Sequence, residues 1–313
     1  MPRSGRALVL AVVALVAAAT LAGCRGPFDG LRLTIATGSS DGVYYQFGSQ
    51  LADAWAAELG IARPTVLTTA GSPQNIDRLR DGTADVGFSS ADVIQGRTSG
   101  RYPLRALARI YDDYIQVVVR TDAPIRDLAD LAGRRVSVGP ANSQVQVVTD
   151  RILSAAGVHG MTSVDLSIND SIAALRAGRI DAFFWSGGLP TQSITALSGS
   201  VPVRLLDLGT DPSDVLHTML LRYPVYGTAL VPGGTYGLDN PSVTTLTVPN
   251  FLLATTKMPN DVAEALVSGL FSAKGKLTGV TSAARGIDVQ SAIYTQPVPL
   301  HAGAEAYYRS AKI

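Results

Sequence analysis

The sequence predicts an α/β fold of two lobes joined by a two-strand hinge, with a ligand cleft between the lobes. Three observations carry this. From residue 31 onward, short β-rich runs alternate with helical patterns. A helix–glycine–strand unit occurs twice at a constant offset. Two apolar runs fall where the chain would have to cross between the lobes.

The first 24 residues read as an address rather than as fold. MPRSGR is a positive n-region, and the apolar run ALVLAVVALVAAATLAG is short for a membrane span, with no charged stop-transfer pattern after it. The run ends in LAGC, which resembles a bacterial lipobox, and Cys24 is the only cysteine of the chain. We therefore expect a lipoprotein signal peptide over 1–24, lipidation of Cys24, and a short tether over 25–30. A lone cysteine also excludes a disulfide framework and a cysteine-based zinc site.

LRLTIA, PTVLTTA, ADVGFSS, LRALARI and YIQVVVR are the expected strands of the first lobe, with helices over YYQFGSQLADAWAAELG and PQNIDRLRDG. This alternation implies a mainly parallel sheet. RRVSVG, QVQVVTDRILSAAG, SVDLSI, SIAALRAG and RIDAFFW repeat the grammar in the second lobe. IDRLRDGTADVGFSSADV from Ile76 matches IAALRAGRIDAFFWSGGL from Ile172, an offset of 172 − 76 = 96 positions. The offset pairs Leu79 with Leu175, Arg80 with Arg176, Gly82 with Gly178, Asp85 with Asp181 and Phe88 with Phe184. Each glycine stands where a helix ends in a left-handed residue.

VVVRTDAPIRDLADLAG leads out of the first lobe, with a short helix expected over IRDLADLAG, and VTTLTVPNFLLATT leads back. DVAEALVSGLFS and AGAEAYYRSAK would be the closing helices of the first lobe. The expected division is 31–120 plus 247–313 for lobe 1 and 121–246 for lobe 2.

Composition narrows the function. With 313 residues and 46% hydrophobic content the chain can bury a large core. Net charge of +1, no basic run and 6% aromatic residues leave no footprint for nucleic acid.

Ligands of open α/β sheets bind where strands end and helices begin. TGSSDG, AGSPQN, FSSAD, GPANSQ and FWSGGLP are such turns, rich in Gly, Ser, Asn and Pro and poor in charge. Gly42 lets backbone approach a ligand. Ser72 is placed either to cap a helix with Pro73 at its first position or to touch ligand, and Asn142 and Ser143 share that ambiguity. Tyr44 and Tyr45 stand in the first turn of a helix, where one can face the cleft while the other packs. Trp185 is placed for the opposite wall or for burial.

Enzyme readings fare worse. GSSDG fits G-x-S-x-G with Ser40 as nucleophile, but no earlier strand exists to complete an oxyanion hole. Walker A and dinucleotide glycine spacings are absent. His159, His217 and His301 lie far apart, which suits surface or capping positions better than a metal site. No cofactor and no metal are expected.

GSSDGVYYQFGSQLA, TTAGSPQNIDRLRDGTADVGFSSADV, DLAGRRVSVGPANS, ALRAGRIDAFFWSGGLP and HAGAEAYY, in that order, resemble the TAXI-type solute-binding proteins of TRAP transporters. The resemblance implies a type II periplasmic-binding-protein fold and a small carboxylate or amino acid ligand such as glutamate, glutamine or 2-oxoglutarate. Matched by motif, the ligand contacts would be Gly42, Tyr44 and Tyr45, with Ser40 beside them; Ser72 and Asn75; Ser89, Ser90 and Asp92; Asn142 and Ser143; Trp185 and Gly188. The chain departs from the family pattern at PANSQ, where a more glycine- and threonine-rich turn is usual. It departs again at IYDDY, where an acidic residue often follows a proline. The implied partner is a TRAP permease; a sensor kinase ectodomain would also suit a tethered extracytoplasmic receptor, and a secreted serine hydrolase using Ser40 is the reading of a different class. Capture would rest on helix ends, backbone N–H groups and hydroxyls rather than an arginine clamp.

Overall fold

The protein is described here from a computed structural model, which covers residues 26–40, 42–95, 97–99, 101–236, 241–280 and 282–312. The expected signal peptide and Cys24 lie outside the described residues. Among those described, no helix is long and apolar enough to cross a membrane.

The chain opens with β1 (Thr34–Ala36), α1 (Val43–Leu59), β2 (Thr65–Leu67), α2 (Ser72–Asp81) and β3 (Val86–Ser90). The crossovers place β1 between β2 and β3, all parallel. In α1 the apolar residues Phe47, Leu51, Trp55 and Leu59 recur at helical spacing and are buried, and the Trp55 indole N–H donates to the Leu266 carbonyl at 3.0 Å. A one-turn helix, α3 (Ala91–Ile94), then leads to β4 (Leu104–Arg120).

The second half repeats the arrangement with β5 (Arg135–Ser137), α4 (Gln144–Ala155), β6 (Thr162–Val164), α5 (Ile168–Arg176) and β7 (Ala182–Gly187). Here β5 lies between β6 and β7, again parallel. After α6 (Gln192–Ser198), β8 (Val203–Leu205), α7 (Val215–Arg222) and β9 (Gly227–Val231), the long strand β10 (Val243–Thr255) returns the chain. Helices α8 (Asn260–Ser272), α9 (Lys274–Val280), α10 (Val289–Ala292) and α11 (Ala302–Ser310) close it.

One sheet runs β2-β1-β3-β10-β4-β7-β5-β6, with β8 added to β4 and β9 to β10. LRALARI and YIQVVVR, expected as separate strands, are one strand of 17 residues, β4. Its first part pairs with the C-terminal part of β10 and its second part with β7 and β8. The sheet is parallel only inside each half. Where β4 and β10 carry the chain between halves, the pairings with β3, β7 and each other are antiparallel, so the expectation of a mainly parallel sheet is corrected. IRDLADLAG forms only a 3₁₀ turn, Ala129–Leu131. Its aspartates accept from nearby backbone N–H groups, Arg126 to Asp130 at 2.7 Å and Asp130 to Asp127 at 3.3 Å, in competition with an α-helix.

The first half has its own core, in which Ile35, Phe47, Trp55, Phe88, Leu266 and Tyr308 are buried together and against which Phe28 of the expected tether packs. The second half has a core of Ile172, Leu175, Phe183, Leu197 and Val203. A third cluster is continuous from Ile76, Leu79 and Leu104 to Val136, Val148 and Phe184, and so spans both halves. The two long strands and this shared cluster fix how the halves face each other.

Candidate functional site

Four helices begin at one cavity of about 340 Å³. Gly42 and Val43 open α1, Gly71 and Ser72 open α2, Ser143 and Gln144 open α4, and Ser167 caps α5; all line its wall. A helix start carries a partial positive charge and first-turn N–H groups without intrahelical acceptors. At α4 and α5 the caps Ser143 and Ser167 take one each, from Gln146 and Asp170. The α1 and α2 starts come from the first half and the α4 and α5 starts from the second, so the cavity lies between the halves.

The α2 start depends on Gly71. It is the N-cap, at φ +108° and ψ −153°, a conformation that side chains resist. Ser72, for which the sequence leaves a capping role and ligand contact both open, is not the cap but the first helical residue. Its Oγ accepts from the Ser90 N–H at 3.1 Å and lies 3.2 Å from the Tyr44 hydroxyl. Ser143 does cap, accepting from the Gln146 N–H at 3.2 Å.

Tyr44 lines the cavity, and Tyr45 is not part of its wall. The Tyr44 ring stacks on Phe88 at 5.1 Å, and its hydroxyl donates to the Asn250 side-chain oxygen. Asn250 on β10 in turn hydrogen-bonds Asp113 on β4, and the Ser186 hydroxyl on β7 donates to Asp113 at 3.3 Å. A polar chain, Ser72–Tyr44–Asn250–Asp113–Ser186, therefore runs beside the cavity from one half to the other across both long strands. Burial, with the charges of Asp92 and Asp112 adding to it, pushes Asp113 from an ordinary 3.8 up to about 7 against the pull of its two hydrogen bonds. Burial and the charge of Asp113 raise Tyr44 well above the ordinary phenol value.

Trp185 forms the wall supplied by β7, its indole N–H held by the Thr191 hydroxyl at 3.1 Å. Among the described lining residues there is no Lys, Arg or His, and Asp113 is the one ionisable carboxyl group.

Of the residues expected to touch ligand, Gly42, Tyr44, Ser72, Ser143 and Trp185 are brought together at this cavity. The others stand elsewhere. Asn75 is fully buried and braces two strands, donating to the carbonyls of Thr37 and Phe88. Ser89 and Ser90 are buried at the end of β3. Asp92 is buried and accepts from the Tyr226 hydroxyl at 2.9 Å and Gln144 Nε2 at 3.3 Å, with Arg151 Nη1 at 3.9 Å. Ser40 is exposed at its turn, and Asn142 is exposed at φ +59°. His159 and His217 are exposed, and His301 caps α11 by accepting from the Gly303 N–H. No cluster of metal-binding side chains occurs among the described residues.

Gly188 lines a second cavity of about 390 Å³, which shares Tyr111 with the first. Its charges answer each other, since Arg109 and Asp112 pair at 2.7 Å, and the helical segments that reach it are the 3₁₀ turn Ser282–Gly286 and the one-turn α10.

Sequence reading missed Tyr111, Asp113, Asn250 and Ser186. A signal existed: two aspartates in the middle of an apolar strand, and an asparagine after Pro249 within another, are depleted in strands unless something holds them.

The profile of the NMT1-like family matches residues 35–311. The chain belongs to the NMT1-like family. Solved structures with the same fold include XAC2383 from Xanthomonas citri bound to ATP, 16% identical over 89% of this NMT1-like chain and 94% of that one, TM-score 0.54. XAC2383 bound to chloride ion is 17% identical over 83% and 93%, TM-score 0.53. An ancestral arginine-binding protein bound to arginine is 15% identical over 79% and 96%, TM-score 0.50. The shared fold is the two-lobed fold of periplasmic binding proteins, as expected for this NMT1-like chain.

Proposed function

We propose that this protein is an extracytoplasmic solute-binding receptor that holds a small carboxylate or amino acid between its lobes. The observation that carries the reading is the convergence of four helix starts from both halves on one cavity between them. Such a site favours an anionic group through N–H donors and helix dipoles without a basic side chain. An ancestral arginine-binding protein of the same fold bound to an amino acid supports the ligand class.

In this reading lobe 1 comprises 31–120 and 247–313, lobe 2 comprises 121–246, and β4 and β10 form the hinge. Gly42, Tyr44, Ser72, Ser143 and Trp185 contact the solute. The LAGC motif supports a lipid anchor at Cys24. The motif order supports membership of the TAXI type, with the closed lobes presented to the membrane subunits of a TRAP permease. Ser40 is not among the residues that line the cavity, although its neighbours Ser39 and Gly42 are, which favours the receptor reading over a serine hydrolase.

The test is thermal unfolding of the purified protein against a panel of amino acids and small mono- and dicarboxylates. A ligand that binds only the folded protein raises the midpoint by mass action. A shift with one chemical class, lost in Tyr44→Ala, is the expected result. No shift with any member of the panel would contradict the reading.

A further inference from the structure

The cavity has two unlike poles. Its positive pole is the ring of helix starts. Its other pole is Asp113, which is 6% exposed and lines the cavity from the middle of β4. Among the described residues no Lys, Arg or His forms an ion pair with it; the nearby Arg109 is engaged with Asp112. The groups beside it are the side chains of Asn250 on β10 and Ser186 on β7, with Tyr44 on α1 and Tyr111 on its own strand, and the charges of Asp92 on α3 and of Asp112, the next residue of its strand, also act on it. None of these is cationic, and two are acids. A buried carboxylate in such surroundings is costly to ionise unless a cation comes to it.

Resting on the receptor reading above, we propose that Asp113 selects ligands bearing a protonated amine. The solute lies with its carboxylate at the helix starts and its ammonium on the Asp113 carboxylate, so the protein takes zwitterionic amino acids in preference to the corresponding acids without the amine. Neutral donors could be satisfied by the hydroxyls of the wall; Asp113 is the one group there that can supply a full negative charge. Ligand binding then requires Asp113 to be ionised, and burial with acidic neighbours makes its ionisation incomplete below about pH 7 in the empty cavity. Affinity for an amino acid therefore falls as pH drops below 7.

Calorimetric titration of the whole protein with paired probes tests this: L-glutamate against glutarate, L-glutamine against glutaramate, and L-leucine against 4-methylpentanoate, extended in the same way to the remaining amino acids. For the pair whose side chain fits, the amino acid is expected to bind more tightly by roughly tenfold to a hundredfold, the range of a charged hydrogen bond. Asp113→Asn, nearly the same in shape, is expected to lose that preference and the decline of affinity below pH 7. Equal or tighter binding of the des-amino acid by the natural protein overturns the proposal and leaves the receptor reading standing, and it needs no variant to fold. Affinity that tightens as pH falls would also overturn it, since a protonated Asp113 would then be the donor to an anion. Binding by no probe of either kind overturns both readings together.

Discussion

Asp85 and Asp181 make the same bond in the two halves of the molecule. Asp85 Oδ2 accepts from the N–H of Thr34, the first residue of β1, at 2.9 Å, and Asp181 Oδ2 accepts from the N–H of Arg135, the first residue of β5, at 2.8 Å. Each aspartate also donates its own N–H to the carbonyl of the same partner. The sequence match at an offset of 96 is thus a match of structural function. Asp85→Ala and Asp181→Ala should each destabilise by about 1 kcal/mol, and the double variant by about the sum, because the sites share no partner. Denaturant unfolding of the three variants checks this; a large coupling would mean that the halves are not similar, separate units.

Asp92 joins the halves. It sits on α3, and its partners Gln144 and Arg151 belong to α4, with Tyr226 in the segment before β9. Removing the acid leaves Arg151 over the Tyr223 ring and a buried hydroxyl with one partner fewer. Asp92→Ala should cost about 3 kcal/mol, and Tyr226→Phe about 1 kcal/mol. A double-mutant cycle should give less than the sum. Full additivity would show that the two groups do not act on one another.

Gly187 gives Trp185 its place. A Cβ at 187 would lie 2.5 Å from the Trp185 indole nitrogen. Gly187→Ala must therefore displace the ring and break its bond to Thr191, at about 1–3 kcal/mol. The expected outcome is a folded protein with weakened ligand binding. Unchanged affinity would remove Trp185 from the site.

The contribution of Asp113 to the stability of the protein without ligand should fall as pH rises from about 4 to about 7, because burial pushes its carboxyl from the ordinary 3.8 up to about 7 in the fold. Between those values the folded protein holds a proton that the unfolded chain has released, so rising pH favours unfolding, by at most about 1.4 kcal/mol per pH unit. Above about 7 this contribution is flat. His301, which burial lowers, contributes with the opposite sign, so the effect is read as the difference from Asp113→Asn. Asp113→Asn should lack the slope and be the more stable protein at pH 8. A natural protein with the same profile as the variant would show that Asp113 titrates normally.

These particulars show what was legible in the sequence. Turns, helix starts and the repeat were legible because glycine, proline and capping residues act locally. So were Gly42, Tyr44 and Ser143, which sit at helix starts whatever the rest of the chain does. Asp113 and Asn250 were not, since their roles arise only when β4 and β10 pair and bring residues 137 positions apart into one hydrogen bond (250 − 113 = 137). Asn75 and Asp92 misled in the opposite sense: polar residues in ligand-like turns were spent on bracing strands and joining the halves, which only the packing reveals.

The most direct measurement uses the two tryptophans. Trp55 is fully buried in the core of the first half, whereas Trp185 lines the cavity. Intrinsic fluorescence should therefore respond to any solute that enters the site, saturating as a single-site isotherm, and Trp185→Phe should abolish the response while the thermal shift persists in weakened form. A solute that raises the unfolding midpoint of the natural protein but leaves its tryptophan emission untouched would bind elsewhere, and would contradict the assignment of this cavity as the receptor site.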